Sequence, residues 1–289
     1  MYRDRFAPSP TGRLHLGHAF SALTAWENCR QFGGEFILRI EDIDTERSHE
    51  SYVDAIFEDL EWLGLSWPSP VMRQSERIDV YERALVSLID LGICYPCRCT
   101  RRDIQNALMG PQESSIGESR SAPEKRIYPG ICRHRSIQEV GPGDSIRLDM
   151  KKAIDSLGGR EAARRISYRD VGPQCGGLHF LDPDNLIDAH GDIVLARRDI
   201  RTSYHLAVVV DDHCQDVTCV SRGKDLFGVT PIHRLLQVLL QLEPPVWHHH
   251  RLIRDEHGQR LAKRAGSTAI SEFRKSGHSV RSLREKIGL

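Results

Sequence analysis

Long apolar runs are missing from this chain. No stretch approaches the roughly 20 residues that a bilayer-spanning helix needs, and the N-terminus lacks the apolar core of a secretory signal. These absences argue against membrane insertion and export, so the expected compartment is the cytoplasm. Net charge is missing as well: 40 Lys and Arg balance 40 Asp and Glu, and no overall basic field marks a nucleic-acid binder. Any RNA contact falls to local clusters such as Arg160, Arg164, Arg165 and Arg169, or Lys263, Arg264, Arg274 and Lys275. Each of these also reads as an ordinary solvated face. Internal repeats are absent, which excludes a solenoid or propeller. Cysteine is present but thin, with eight in 289 residues. That density does not make a disulfide framework, and clustered cysteines in a reducing compartment read first as metal ligands.

What is there is an ordinary globular composition, 39% hydrophobic and 28% charged, long enough for two domains or for one with a large insertion. Residues 5–18, RFAPSPTGRLHLGH, read as a strand, a proline-broken turn and a helix start. Unpaired N–H groups and the positive end of the dipole suit such a helix start to phosphate. His15 and His18 share one face of the helix, and Gly17 between them removes a side chain where a nucleobase or ribose could lie. A βα turn with two surface histidines is the plainer alternative.

Helical spacing of Ala19, Phe20, Leu23 and Trp26 predicts a helix that stops at Gly33-Gly34. EFILRI (35–40) predicts a strand leading into Glu41, Asp42 and Asp44. Val53, Ile56, Phe57, Leu60 and Leu63 mark an amphipathic helix, and a third is predicted from a Ser75 cap through Tyr81, Leu85 and Leu88 to Gly92. This β-α-β-α order predicts an α/β fold with a parallel sheet covered by helices, whose ligands bind at the carboxyl ends of the strands. From Cys94 the character changes, with Cys97-Arg98-Cys99, a polar loop over 110–125, and Tyr128 to Cys132. Residues 145–194 have no clean periodicity and read as the remainder of an inserted subdomain, with parallel patterning resuming near Asp192. The run 206–210 is too short to separate strand from buried helix. Residues 217–221 read as a strand, and Thr230-Pro231 starts a helix that Pro244-Pro245 ends. Residues 258–264 form a basic loop, and 270–289 one or two closing helices.

Chemistry is offered at several places. Cys97, Cys99 and Cys132, with Tyr128 or His134 as a fourth ligand, suit a structural Zn2+ ion. The other cysteines considered, Cys29, Cys175, Cys214 and Cys219, read as core residues. A carboxylate after the second strand suits a substrate ammonium. Arg5 and Arg222, each at a strand edge, suit bidentate capture of a carboxylate. Three cations over 260–264 suit a triphosphate losing pyrophosphate.

Together these pieces resemble the catalytic domain of class I glutamyl-tRNA synthetases. His15-Leu16-Gly17-His18 is similar to the HIGH motif, and LRIEDID (38–44), YHLAVVVDD (204–212) and SRGKDL (221–226) are similar to further blocks. Residues 260–264 take the place of the KMSKS loop, with Arg260 and Ala262 where the first lysine and the serine usually stand. The matches run in family order over most of the chain. The resemblance implies a Rossmann-like catalytic domain in two halves (1–93 and 192–256), an inserted subdomain with a zinc site (94–191), and a KMSKS-like loop with closing helices (257–289). Too little follows that loop for the family's anticodon-binding domain. A short chain with C-x-C and Tyr-x-x-x-Cys is similar to the stand-alone glutamyl-queuosine tRNA(Asp) synthetases.

The expected activity is ATP-dependent activation of glutamate and its transfer to queuosine in tRNA(Asp) by a monomer, with ATP used as its Mg2+ complex. A truncated enzyme charging the 3′ end of tRNA(Glu), or a non-catalytic tRNA-binding paralogue, are the alternatives. By the same resemblance Arg5, Arg222 and Tyr204 would bind the glutamate side chain. Glu41 would bind its ammonium, and Phe6, Ala7, Pro8 and Ser9 would line the site. His15, Gly17, His18 and Lys263 would hold ATP, with the histidines and the lysine as the catalytic groups. Cys97, Cys99, Tyr128 and Cys132 would ligate zinc, and Cys132-Arg133-His134 could supply a C-x-H pair instead.

Overall fold

A computed structural model describes residues 1–108, 127–253 and 269–289. Strand β1 (Arg3–Phe6) leads through the proline-broken loop into helix α1 (Leu16–Gln31), followed by β2 (Glu35–Ile40), α2 (Glu50–Trp62), β3 (Met72–Arg73) and α3 (Ile78–Asp90). Then come β4 (Cys94–Cys97), α4 (Arg101–Leu108), β5 (Ser145–Leu148), α5 (Met150–Ser156), α6 (Arg160–Ala163), β6 (Ser167–Asp170), β7 (Gly177–Phe180), α7 (Pro183–Asn185) and β8 (Val194–Ala196). The chain closes with α8 (Tyr204–Cys214), β9 (Cys219–Gly223), α9 (Thr230–Leu239), β10 (Val246–His250), α10 (Ile270–Lys275) and α11 (Val280–Ile287). No described helix is long and apolar enough to cross a membrane.

Strands β1, β2 and β3 pair in parallel, as do β9, β10 and β6, while β7 adds antiparallel to β6. The two groups meet where the Thr218 N–H donates to the Arg3 carbonyl at 2.9 Å. Asp4 widens that seam. Its buried carboxylate accepts the backbone N–H groups of Arg5 and Ser221 at 2.8 and 3.0 Å, in place of a strand-to-strand ladder. Helices α1 and α2 and the C-terminal pair cover β1 and β2 with one apolar cluster (Phe6, Leu23, Ile56, Ile270). A second cluster joins α3, α8 and α9 to β10 through Tyr81, Leu206, Leu235 and Trp247. The carboxyl ends of β1, β2, β9 and β10 therefore open on one side, where parallel sheets place their ligands.

Several elements depart from the sequence reading. Ser75 does not cap α3, which begins at Ile78. Its hydroxyl and N–H are instead spent on the Asp42 carboxylate, at 2.9 and 2.8 Å. The ambiguous run 206–210 is helical, with Ser203 as N-cap through its bond from the Leu206 N–H. Helix α9 ends at Leu239, ahead of the two prolines. Strand β8 runs antiparallel to β5, in a small sheet with β4, so no parallel strand begins near Asp192. β6, from the stretch without periodicity, joins β10 in parallel on the side away from β9. Cys29 and Cys219 are buried as expected, whereas Cys175 is half-buried and Cys214 is exposed. Strand β10 has no counterpart in the sequence reading, because three consecutive histidines look like a polar loop until the fold supplies partners such as Asn28 for His248, Asp170 and Arg222 for His249 and Ser21 for His250.

Candidate active site

One cavity of about 350 Å³ opens at the carboxyl ends of these strands. It brings together Arg5, Phe6, Ala7, Pro8, Ser9, His15, Gly17, His18, Glu41, Tyr204 and Arg222, along with Ser21, Ser221, His250 and Arg251. Lys263 and the rest of the KMSKS-like loop lie outside the described residues.

The paired histidines build the start of α1. His15 is the N-cap: its Nδ1 accepts from the Gly17 N–H at 3.0 Å, and His18 Nδ1 accepts from the His15 N–H at 3.1 Å. Both Nδ1 atoms are thus acceptors, which assigns the proton of each neutral ring to Nε2. The ring centroids are 3.9 Å apart. Two Nε2–H donors beside a helix N-terminus form a cradle for an anion. A Cβ on Gly17 would come within 2.9 Å of His15 Cε1, so glycine is needed here by the ring that caps the helix.

The base of the cavity is a buried charge cluster. Arg5 pairs with Asp212 at 3.0 Å, and Arg39, behind it, reaches Asp212 at 2.8 Å and Glu41 at 3.2 Å. Burial pushes the Asp212 carboxyl up, but the two guanidinium groups outweigh it and hold it below its ordinary value. The neighbouring Asp211 faces the other way and accepts from Tyr81, Arg77 and Gln74 at 2.7, 2.8 and 2.9 Å. The acidic stretch after β2 divides its work similarly. Asp42 is tied to Arg73 and Ser75, Asp44 to Arg47 and Arg197, and Glu41 alone of the three lines the cavity. Burial raises the Glu41 carboxyl above its ordinary value, against the pull of Arg39 and Arg5. An incoming cation would reverse that.

Arg222, 5% exposed, lines the same cavity as Glu41. Burial weakens its hold on the proton, and among the described residues no carboxylate contacts it. The cavity therefore presents an anion-seeking group and a cation-seeking group in one lining, which suits a small zwitterion. Sequence reasoning missed Arg39, Asp212, His250 and the neighbours of Arg222. The doubled aspartate at the end of α8 and the triple histidine of β10 were the available signals.

A second cluster lies beside the β4–β5–β8 sheet. The Sγ atoms of Cys97, Cys99 and Cys132 lie within 4.8 Å of one another. The Tyr128 hydroxyl is 3.4 Å from Cys97 Sγ and 3.5 Å from Cys99 Sγ. A tetrahedral zinc thiolate site places sulfurs about 3.8 Å apart, so the donors converge as such an ion requires. His134 does not join the three sulfurs. Burial raises the Tyr128 phenol, while the Cys97–Tyr128 hydrogen bond helps to lower Cys97 against its own burial. The Arg147 guanidinium lies 3.8 Å over the Tyr128 ring.

With this geometry in place, the likenesses to known proteins follow. The family "tRNA synthetases class I (E and Q), catalytic domain" matches residues 1–155 and 180–289. A glutamyl-Q tRNA(Asp) synthetase of Rhodobacter capsulatus is 47% identical over 99% of both chains. A glutamate--tRNA ligase of Nitratidesulfovibrio vulgaris is 37% identical over 94% of this chain, which spans 53% of that enzyme. The crystal structure of a glutamate tRNA ligase from Elizabethkingia meningosepticum, in complex with its amino acid, superposes with a TM-score of 0.69 and 28% identity. That match takes in 92% of this chain and 52% of the ligase. The chain belongs to the class I (E and Q) tRNA synthetase catalytic-domain family, in its glutamyl-Q tRNA(Asp) synthetase branch.

Proposed function

We propose that this protein activates glutamate with ATP and transfers the glutamyl group to queuosine in the anticodon of tRNA(Asp). The observation that carries the reading is the convergence of Glu41 and Arg222 on one cavity that His15 and His18 also line. The likeness to glutamyl-Q tRNA(Asp) synthetase over nearly the whole chain supports the choice of acceptor.

Glutamate lies with its side-chain carboxylate toward Arg222 and Arg5, under Tyr204, and its ammonium toward Glu41. Phe6, Ala7, Pro8 and Ser9 form the wall between. The α-carboxylate oxygen attacks the α-phosphorus of Mg2+-bound ATP, forming the mixed anhydride as pyrophosphate leaves. No side-chain nucleophile is needed, because the substrate carboxylate is the nucleophile. The Nε2–H groups of His15 and His18 donate to phosphate oxygens, and Gly17 lets the adenosine approach the helix start. Lys263 stabilises the pentavalent phosphorus. Holding the reacting groups in register converts a bimolecular encounter into an internal one.

Cys97, Cys99, Tyr128 and Cys132 would hold one Zn2+ ion, and the sulfur spacing and the convergent phenol support that assignment. Its role is structural, tying the loop after β4 to the 127–132 turn. The partner is the anticodon arm of tRNA(Asp), and the protein works as a monomer.

The test is direct. Supply ATP, labelled glutamate and tRNA(Asp) with or without queuosine, and follow pyrophosphate exchange and label on RNA. Glutamate-dependent exchange without tRNA, and label only on queuosine-bearing tRNA(Asp), are expected. Label on tRNA(Glu) or on queuosine-free tRNA(Asp) overturns the acceptor assignment, and absence of exchange overturns the enzyme assignment.

A further inference from the structure

Arg222 and Arg5 reach the same cavity under different conditions. Arg5 has an internal counter-charge in Asp212 at 3.0 Å. Among the described residues Arg222 meets neutral acceptors: His249 Nε2 at 3.0 Å from its Nε, His233 Nδ1 at 3.2 Å from one terminal nitrogen and Thr230 Oγ1 at 2.8 Å from the other, with the Tyr204 hydroxyl also beside it. A guanidinium has five N–H donors. These bonds use three, and the remaining N–H on each terminal nitrogen faces the Tyr204 side of the cavity, where the pair matches the two oxygens of a carboxylate bound under that phenol.

The tautomers follow from the contacts. Because Arg222 always donates, His249 Nε2 must be bare, and its Nδ1–H points at the Asp170 carboxylate. Asp170 and His249 are both buried, and the other Asp170 oxygen accepts the Gly172 N–H at 2.8 Å. His233 likewise offers Nδ1 to Arg222 and turns its Nε2–H toward His205 Nδ1 at 3.1 Å. Burial holds His233 and His249 below the ordinary imidazole value, in keeping with neutral rings.

We propose that His249, locked in one tautomer by Asp170, is a positioning residue for Arg222. It fixes the rotation of the guanidinium so that two N–H groups face the ligand carboxylate, and it does so without neutralising the charge. Asp170 sits one imidazole away. The missing counter-charge is therefore supplied by the substrate, and a neutral amide in place of the carboxylate leaves a buried cation uncompensated. The proposal rests on the glutamate-activating reading and names how that site selects its acid.

The substitution Asp170→Asn separates this idea from simple support of the fold. The Asn oxygen is held by the Gly172 N–H, so its NH2 group faces His249 Nδ1 and forces the ring proton onto Nε2. Donor then meets donor at Arg222 Nε. His249→Gln keeps an acceptor near the Nε2 position and does not depend on Asp170 for its tautomer. In pyrophosphate exchange Asp170→Asn should raise the glutamate KM about tenfold or more, an unmatched buried donor being the cause. The ATP KM should stay within a factor of two, and preference for glutamate over glutamine should narrow. His249→Gln should stay near wild type, and the double variant should resemble His249→Gln rather than Asp170→Asn.

Equal loss in both KM values, or a double variant worse than either single one, overturns the proposal. A wild-type enzyme without glutamate-dependent exchange would sink the functional reading instead. The positioning role is then decided by NMR of the arginine Nε–H. That signal should exchange slowly in wild type and His249→Gln and quickly in Asp170→Asn, and the same slow signal in all three refutes it.

Discussion

Arg5 of β1 and Asp212 of α8 form a buried ion pair of 3.0 Å, with side chains 6% and 9% exposed. Arg39, fully buried, shares the same carboxylate at 2.8 Å. Two guanidinium groups therefore share one aspartate, and removing it strands Arg5 while leaving Arg39 to Glu41 at 3.2 Å. Asp212→Ala should destabilise the fold by about 3–5 kcal/mol, the usual cost of leaving buried charge unpaired. Urea unfolding at neutral pH measures it. A loss under about 1 kcal/mol, the scale of an exposed pair, would mean that water replaces the carboxylate and that the pair is not the anchor of the cavity floor.

Gly17 is held to glycine by its neighbour. A methyl group there meets His15 Cε1 at 2.9 Å and Nδ1 at 3.1 Å, closer than side chains approach. Gly17→Ala should swing the His15 ring away and break its bond from the Gly17 N–H. Loss of this cap costs about 1 kcal/mol of stability. The larger effect falls on nucleotide binding, with the ATP KM rising about tenfold, equivalent to about 1.4 kcal/mol, and the glutamate KM little changed. An unchanged ATP KM would remove His15 from the phosphate cradle.

The extent to which sequence foretold this arrangement follows from how locally each feature is determined. Strand β2 and the helix after His15 were readable because apolar spacing and the turn residues decide them within a few positions. The residues around the cavity were readable because they fall in motifs. The supports of those residues were not. Arg39 looks like an ordinary charged residue in a strand until Asp212, far along the chain, is brought against it. The triple histidine 248–250 reads as solvent-exposed polarity, yet His249 is fully buried. Its two ring nitrogens are satisfied by Asp170 and Arg222, residues 79 and 27 positions away. Ser75 carried a sound capping signal and lost to Asp42, whose carboxylate competes for the same hydroxyl. Long-range polar pairing leaves no period in a sequence, which is why the shell behind the site had to come from the fold.

The cysteine cluster makes its own prediction. Zinc bound by three thiolates and the Tyr128 oxygen should appear as one ion per chain in metal analysis, as expected for a four-coordinate structural site. Cys97→Ser should remove the ion and lower the melting temperature. His134→Ala should do neither, since His134 is not among the convergent donors. Tyr128→Phe should weaken zinc retention against a chelator without abolishing it, because three thiolates remain. Full zinc occupancy in Cys97→Ser, or its loss in His134→Ala, would contradict the ligand assignment.

Asp59 lies fully buried on α2 against the C-terminal helices, and among the described residues neither carboxylate oxygen has a hydrogen-bond partner. Arg274 approaches only to 3.9 Å. Burial raises the Asp59 carboxyl from 3.8 to about 6, Arg274 and Arg13 opposing. The folded protein therefore keeps a proton that the unfolded chain has already released. Stability tied to this group is present below about pH 4 and is lost as pH rises toward 6. The loss is roughly 2–3 kcal/mol, because a tenfold difference in proton affinity between the folded and unfolded chain is worth about 1.36 kcal/mol. Asp59→Asn carries no charge to bury. It should match wild type in acid, exceed it in stability above pH 6, and flatten the slope between. Chemical denaturation across that range measures all three features. A variant less stable than wild type at neutral pH would show that the distant Arg274 charge outweighs the desolvation of the carboxylate.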